Sequence, residues 1–425
     1  MRFPKGFMIG AATAAHQVEG NNIHSDYWAQ EQMTFTSFDE PSGLACDHYN
    51  RYEEDISLLA QAGLNAYRFS IEWARIEPQP GVYDEKEIAH YRSVLECCHA
   101  HQVEPIVTMH HFTSPKWLIE QGGWENPETV DKFAAYCRYV VGQLGSLFTY
   151  VCTINEANMG IQIAAIMRRY AINAQKNQSA EGKVQVGINL ENPMMERMKK
   201  QAAENMQVFG TPQPQVFVSP RTPEGDLLVM RAHQAAKAAM KAVKPELKIG
   251  LTLSLHDIQA TPGGEAEAER EWNEEFLHYL PFIREDDFFG LQNYTRTQMG
   301  PEGSLPVPEG AETTQMGYEF YPAGLEHVIR KVHDQLPIPI IVTENGVAIS
   351  NDERRVAFIR EALSGVKRCV DDGIPVHGYC YWSLMDNFEW QKGFSMTFGL
   401  VAVDRSTMQR TPKESLKYLG SFCEK

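Results

Sequence analysis

The chain has no excess of basic charge: 39 Lys and Arg stand against 55 Asp and Glu, a formal net charge of −16. A nucleic-acid or anionic-membrane partner needs a basic face, so neither is expected, and a polyanionic substrate is disfavoured. Cysteine is sparse and scattered. The eight thiols (Cys46, Cys97, Cys98, Cys137, Cys152, Cys369, Cys380 and Cys423) suggest no disulfide framework, and several lie inside apolar runs. No leader is apparent, because Met1-Arg2-Phe3-Pro4 runs straight into Phe7-Met8-Ile9-Gly10. Reduced thiols and a cytoplasmic location are the expectation. Cys97-Cys98-His99 with His101 lies on a helical pattern without a second ligand pair, so no metal and no cofactor are expected. No Pro/Ser-rich linker divides the chain. No Gly-rich phosphate turn follows an early strand either, which speaks against a doubly wound nucleotide-binding sheet.

What is present is alternation. With 43% hydrophobic and 22% charged residues, the composition is that of a soluble globular protein. Candidate strands fall at Phe7–Thr13, Ala66–Ser70, Pro105–Met109, Tyr150–Ile154, Lys248–Leu253, Phe288–Leu291, Ile340–Thr343 and Gly378–Trp382. Amphipathic helical stretches lie between them at Tyr52–Gln61, Thr129–Leu144, Leu227–Val243, Ala323–His333 and Asp352–Asp371. Eight strand–helix alternations predict an α/β fold, one (β/α)8 TIM barrel with elaborated βα loops, spanning residues 1–425 as a single catalytic domain.

Two of the predicted strands end on a glutamate: Tyr150-Val151-Cys152-Thr153-Ile154-Asn155-Glu156 and Ile340-Ile341-Val342-Thr343-Glu344-Asn345-Gly346. Taking an unpaired carboxylate out of water costs several kcal/mol, so two such ends point to carboxylates converging on one pocket. Paired carboxylates of this kind serve glycoside hydrolysis, in which one protonates the leaving oxygen and the other attacks or stabilises the anomeric carbon. The other strand ends carry amide, imidazole and indole groups, which suit the hydroxyls and the apolar face of a neutral sugar. His16 and His110 read as hydrogen-bonded core residues, leaving His111 for the site.

The N-terminal Ala11-Ala12-Thr13-Ala14-Ala15-His16-Gln17-Val18-Glu19-Gly20 resembles a signature of the family 1 glycoside hydrolases, the β-glucosidases and their relatives. So do Cys46-Asp47-His48-Tyr49, Tyr67-Arg68-Phe69-Ser70-Ile71-Glu72-Trp73 and Thr153-Ile154-Asn155-Glu156. Thr343-Glu344-Asn345-Gly346 and Tyr381-Trp382-Ser383-Leu384-Met385-Asp386-Asn387-Phe388-Glu389-Trp390 complete the set, in the family's order. The resemblance implies a retaining β-glycosidase, first of all a β-glucosidase, with Glu344 as nucleophile and Glu156 as acid/base. It implies Gln17, His111, Asn155, Tyr294, Trp382, Glu389 and Trp390 as substrate-binding residues, with Arg68 and Tyr294 supporting the nucleophile. Glu389 stands where the phospho-glycosidase branch lacks a carboxylate, which implies a non-phosphorylated glycone: glucose, with fucose or galactose as alternatives. A small β-glycoside is the expected partner, and a homo-oligomer is left open.

The chain departs from the family's pattern in places. Ala157 replaces the usual Pro after the acid/base, Phe112-Thr113-Ser114 follows His111, and Gln292-Asn293-Tyr294 replaces Asn-Tyr-Tyr, which puts Gln292 and Asn293 where residues of the family border the leaving group. Met159–Asp226 is long and His256–Asp287 short, both on the leaving-group side. An amphipathic helix is expected near Pro193, capped by Asn192. Met167, Met194, Met195, Met198 and Met206 either pack that helix onto the barrel, the more general reading, or offer adaptable apolar surface to a hydrophobic aglycone. The Pro301–Gln315 loop is expected either over the pocket mouth or as an ordinary solvated loop. A family member acting mainly by transglycosylation remains an alternative; a non-catalytic sugar-binding relative does not fit two retained glutamates.

Overall fold

Eight apolar runs become a parallel barrel in the computed structural model, which describes residues 2–168 and 193–423. The strands are Met8–Ala12, Ala66–Ser70, Glu104–His110, Tyr150–Ile154, a fifth in two pieces, Phe289–Gln292, Ile340–Asn345 and Val376–Trp382. Each pairs in parallel with its sequence neighbour, and the first closes on the last with Ala12 opposite Trp382. The predicted fifth strand, Lys248–Leu253, is interrupted at Leu251. Lys248–Gly250 pairs with the fourth strand and Thr252–Ser254 with the sixth, so one chain segment turns between two neighbours as the sheet coils shut.

The strands are mostly apolar because both faces are covered, with polar residues concentrated toward their carboxyl ends. One face lines the barrel interior with Met8, Ala12, Ala66, Ile106, Cys152, Ile341 and Cys380. The other packs on the helices. Thr129–Leu144 shows why: Phe133, Tyr136, Cys137, Val140, Val141 and Leu144 recur at helical spacing and are buried. The helix Asp352–Asp371 starts where Asn351 accepts hydrogen bonds from the Glu353 and Arg354 amides. Among the described residues no helix is long and apolar enough to cross a membrane.

Beyond the strand ends lies a small sheet. Asp257–Ala260 pairs in parallel with Arg296–Gly300, which folds back on Gly303–Ser304. The segment expected as a plain loop therefore begins with a short hairpin strand. A helix does run over Pro193–Phe209, but Asn192 lies outside the described residues.

Candidate active site

Arg68 is the organising side chain. It lies on the second strand, is fully buried, and spreads its donors over three other strands. Nη1 donates to Glu344 Oε1 at 2.5 Å and to the Thr343 carbonyl at 3.2 Å. Nη2 donates to Asn155 Oδ1 at 2.5 Å, and Nε to Thr108 Oγ1 at 3.1 Å. A buried guanidinium is costly unless its donors find partners, and here they find an anion and three neutral acceptors. Here the pairing ties together the second, third, fourth and seventh strands.

Glu344 is the penultimate residue of the seventh strand and is 3% exposed. Its second oxygen accepts a hydrogen bond from the Tyr294 hydroxyl at 2.5 Å. The motif's last residue, Gly346, explains how the strand end can nest there: a Cβ on it would stand 1.9 Å from the Trp382 carbonyl oxygen. Burial raises the Glu344 pKa, while Arg68 and then Tyr294 oppose the rise.

Glu156 follows the fourth strand on a turn, with φ 44° and 7% exposure. Such left-handed backbone costs a non-glycine residue about 1–3 kcal/mol and concentrates at functional sites. Its pKa is driven well above the ordinary value, chiefly by burial and next by the charge of Glu344, with Arg68 opposing. Of the two carboxyls, Glu344 has the cation and the donor in direct contact. Glu156 has only the Ser254 hydroxyl to oppose the rise beside the more distant charge of Arg68, so the pair's proton is favoured on Glu156.

Both glutamates line one cavity of ≈ 320 Å³ with His111, Asn155, Tyr294, Trp382, Glu389 and Trp390. Asn155 is fixed by Arg68 and by Gln292, whose Nε2 donates to Asn155 Oδ1 at 2.7 Å; the Asn155 amide nitrogen faces His111 Nε2 at 3.1 Å. Gln17 is buried behind the wall and donates to the Phe388 carbonyl at 2.7 Å and to Glu389 Oε2 at 3.3 Å. Gln17 Oε1 and His111 Nδ1 are buried and have no hydrogen-bond partner among the described residues. His111 lines the cavity, so its free ring nitrogen lies where a sugar hydroxyl could meet it. Burial and Glu344 push the Glu389 pKa up to about 8, against hydrogen bonds from Gln17 and Trp382. The aromatic wall is stacked: His111 lies 5.6 Å from Trp382 at 24°, and Trp390 lies 6.1 Å from His16 at 4°.

The two histidines read as core residues are so placed. His16 Nε2 meets Glu31 Oε1 at 2.7 Å, and His110 Nε2 meets Ser114 Oγ at 3.0 Å. Three expectations need correcting. Gln292 backs Asn155 instead of bordering the leaving group. Asn293 is buried, with its amide donating to the Leu255 and Thr295 carbonyls. Met167, Met198 and Met206 are more than half exposed and do not line the cavity, while the side chains of Met194 and Met195 lie outside the described residues. A helix fragment offers the same i, i+4 stripe to solvent as to a ligand, so spacing alone could not tell the two apart.

Sequence reasoning missed Tyr27, Ser254, Met316, Tyr318 and Phe398, all on the cavity wall. Only Ser254, at a strand end, had a signal to find it by. A second cavity of ≈ 470 Å³ shares Gln162, His256, Thr295, Met316 and Tyr318 with the first. Its outer wall includes Leu305-Pro306-Val307-Pro308, so the 301–315 segment does border the mouth as expected.

The profile of glycosyl hydrolase family 1 matches residues 1–425. A β-glucosidase of an Agrobacterium strain is 30% identical over 99% of this chain and 95% of its own length. A 6-phospho-β-galactosidase of Lacticaseibacillus casei is 27% identical over 100% and 98%. Among solved structures, the β-glycosidase BGL167 superposes with a TM-score of 0.88 at 44% identity, covering 99% of this chain and 97% of that one. With a barrel whose strand ends bring Glu156 and Glu344 to one cavity, and a family profile matched from end to end, the chain belongs to glycosyl hydrolase family 1.

Proposed function

We propose that the protein is a retaining β-glucosidase acting on non-phosphorylated β-D-glucosides. Glu344 attacks the anomeric carbon while Glu156 gives its proton to the departing oxygen; Glu156 then takes a proton from water, which cleaves the glycosyl-enzyme. The observation that carries the reading is the asymmetry of the pair. One cavity holds a carboxylate gripped at 2.5 Å by both Arg68 and Tyr294, and a second carboxyl that burial and the first one's charge keep protonated.

Both β-glucosidases and a 6-phospho-β-galactosidase are among the relatives, so glycone choice has to be argued from the pocket. No Lys or Arg is among the described residues lining the catalytic cavity. A 6-phosphate would enter a site without a cation and with Glu389 on its wall. Charge repulsion between a 6-phosphate and Glu389 requires that Glu389 be ionised. With that group near pH 8, the missing cation supports the reading at neutral pH and repulsion adds to it above.

The adjoining cavity suits the leaving group. Its Leu305-Pro306-Val307-Pro308 wall and Met316 offer an apolar face, opposed by polar groups such as Gln162, Arg296, Thr297 and Gln298, a mixed lining that supports an aryl aglycone with a polar rim. Proton NMR of the first sugar released from an aryl β-glucoside tests the chemistry. β-Glucose is expected, and α-glucose as the first product would overturn the mechanism.

A further inference from the structure

Glu156 keeps its left-handed backbone without the proline that usually follows it in the family, and the residues that hold it there lie far along the chain. The Glu156 amide donates to Thr252 Oγ1 at 2.9 Å, and the Ala157 amide to the Thr252 carbonyl at 3.0 Å. A proline at 157 could not make the second bond. From the other side, Arg221 Nη1 donates to the Ala157 carbonyl at 3.0 Å, and the Arg221 amide donates to the Gly160 carbonyl at 3.1 Å.

Arg221 is an unusual residue to find there. It is 5% exposed, and among the described residues it forms no salt bridge. Its other partners are the Phe217 carbonyl and the Phe217 ring, 4.6 Å from the guanidinium carbon. Burying a cation on carbonyls and an aromatic face is expensive, and an apolar side chain of similar size would cost less. Space is reserved for it as well. A Cβ on Gly160 would stand 2.7 Å from the guanidinium carbon. The cost has a local return, because a rigid planar fork fixes a peptide carbonyl more firmly than packing can.

The geometry points to Arg221 as a positioning residue for Glu156, forming with Thr252 a two-sided clamp on the 156–157 peptide. It comes from the end of the long segment after the fourth strand, and this gives that segment's C-terminal part a role beneath the site. Phe217 supports the same function by packing on His110 at 4.7 Å and Phe112 at 5.9 Å. The inference rests on Glu156 being the acid/base.

The test compares Arg221→Met and Gly160→Ala with the parent protein and with Glu156→Ala. The first variant removes the fork; the second leaves it in place but forces it away from its seat. Substrates are an alkyl β-glucoside, which needs a proton on its leaving group, and 2,4-dinitrophenyl β-glucoside, which does not. A displacement of about 1 Å in a catalytic group can cost about 10²-fold. For both variants kcat/KM should fall about 10- to 100-fold on the alkyl glucoside and less than about 3-fold on the dinitrophenyl glucoside. Azide, which needs no general base, should accelerate turnover of the dinitrophenyl glucoside in both. Equal losses on the two substrates without an azide response would overturn the clamp, provided Glu156→Ala shows the leaving-group dependence. If Glu156→Ala lacks it too, the acid/base assignment falls and takes the clamp with it. Should Arg221→Met fail to fold, Gly160→Ala decides the matter alone.

Discussion

Replacing Tyr294 by Phe isolates one of the two contacts that hold Glu344 ionised. The hydroxyl donates to Glu344 Oε2 at 2.5 Å, while Arg68 occupies Oε1. The ring itself has a separate task, packing edge-on against Phe398 at 6.2 Å, and phenylalanine keeps that contact. A hydrogen bond to a charged group contributes about 1.5–3 kcal/mol. It stabilises only the carboxylate form of Glu344. At about 1.4 kcal/mol per pKa unit, its loss should raise the nucleophile's pKa by about 1–2 units. Burial raises that pKa already, so the shift moves it further toward neutrality. In kcat/KM against pH, measured with an aryl β-glucoside, the acidic limb should move up by that amount. The basic limb should stay, because it reports Glu156 in the presence of an ionised Glu344. The bell narrows from one side only. An unmoved acidic limb, with the fold intact by circular dichroism, would show that Arg68 alone keeps Glu344 charged and would refute the reasoning.

Glu156→Ala should slow glycosylation by alkyl glucosides far more than by dinitrophenyl glucoside, whereas Glu344→Ala should abolish turnover of both; equal losses in the first variant would sink the assignment. The ratio of kcat/KM for an aryl β-glucoside to that for its 6-phosphate should exceed one at pH 6 and grow as pH rises through about 8, where Glu389 ionises. A ratio below one, or one that falls with pH, contradicts the glycone reading. Arg410→Met should destabilise the fold by about 3–5 kcal/mol in urea unfolding, because Asp55, 1% exposed and hydrogen-bonded by Arg410 and His48, would lose a partner in the core. Asp55 has a lowered folded-state pKa, so its contribution is present above the usual Asp range and disappears as pH falls through the folded value. The Arg410→Met penalty should therefore shrink in acid; a penalty independent of pH would rule out Asp55 as its source.

The barrel strands were legible because strands covered on both faces are mostly apolar along their length. The second and fourth strands, Ala66–Ser70 and Tyr150–Ile154, fall where the apolar runs put them. The interruption at Leu251 was not legible, since it depends on two neighbouring strands and not on the residues between them. Glu156 and Glu344 stood out for the same reason as the strands: each is a charge where the run ends. Tyr318 and Phe398 gave no such signal. They reach the cavity from connections without periodicity, and what brings them there is the path of loops over the barrel mouth. Gln292 misled because a strand-end amide can face a ligand or brace a neighbour equally well, and only the packed structure shows it turned toward Asn155.

The arrangement around Arg68 divides the molecule into a part that resists change and a part that invites it. One guanidinium cross-braces the strand carrying Glu344 and the strand preceding Glu156 through donors that no surface loop supplies. The spacing of the two carboxyls is thus inherited from the shear of the barrel. The Leu305–Pro308 wall of the neighbouring cavity has no comparable tie to Arg68 or Glu344. Grafting a foreign segment over residues 301–315 should for that reason exchange the leaving groups the protein accepts while sparing the bond-breaking apparatus. For directed evolution, libraries confined to that wall would sample new substrates from a starting point that already cleaves the glycosidic bond.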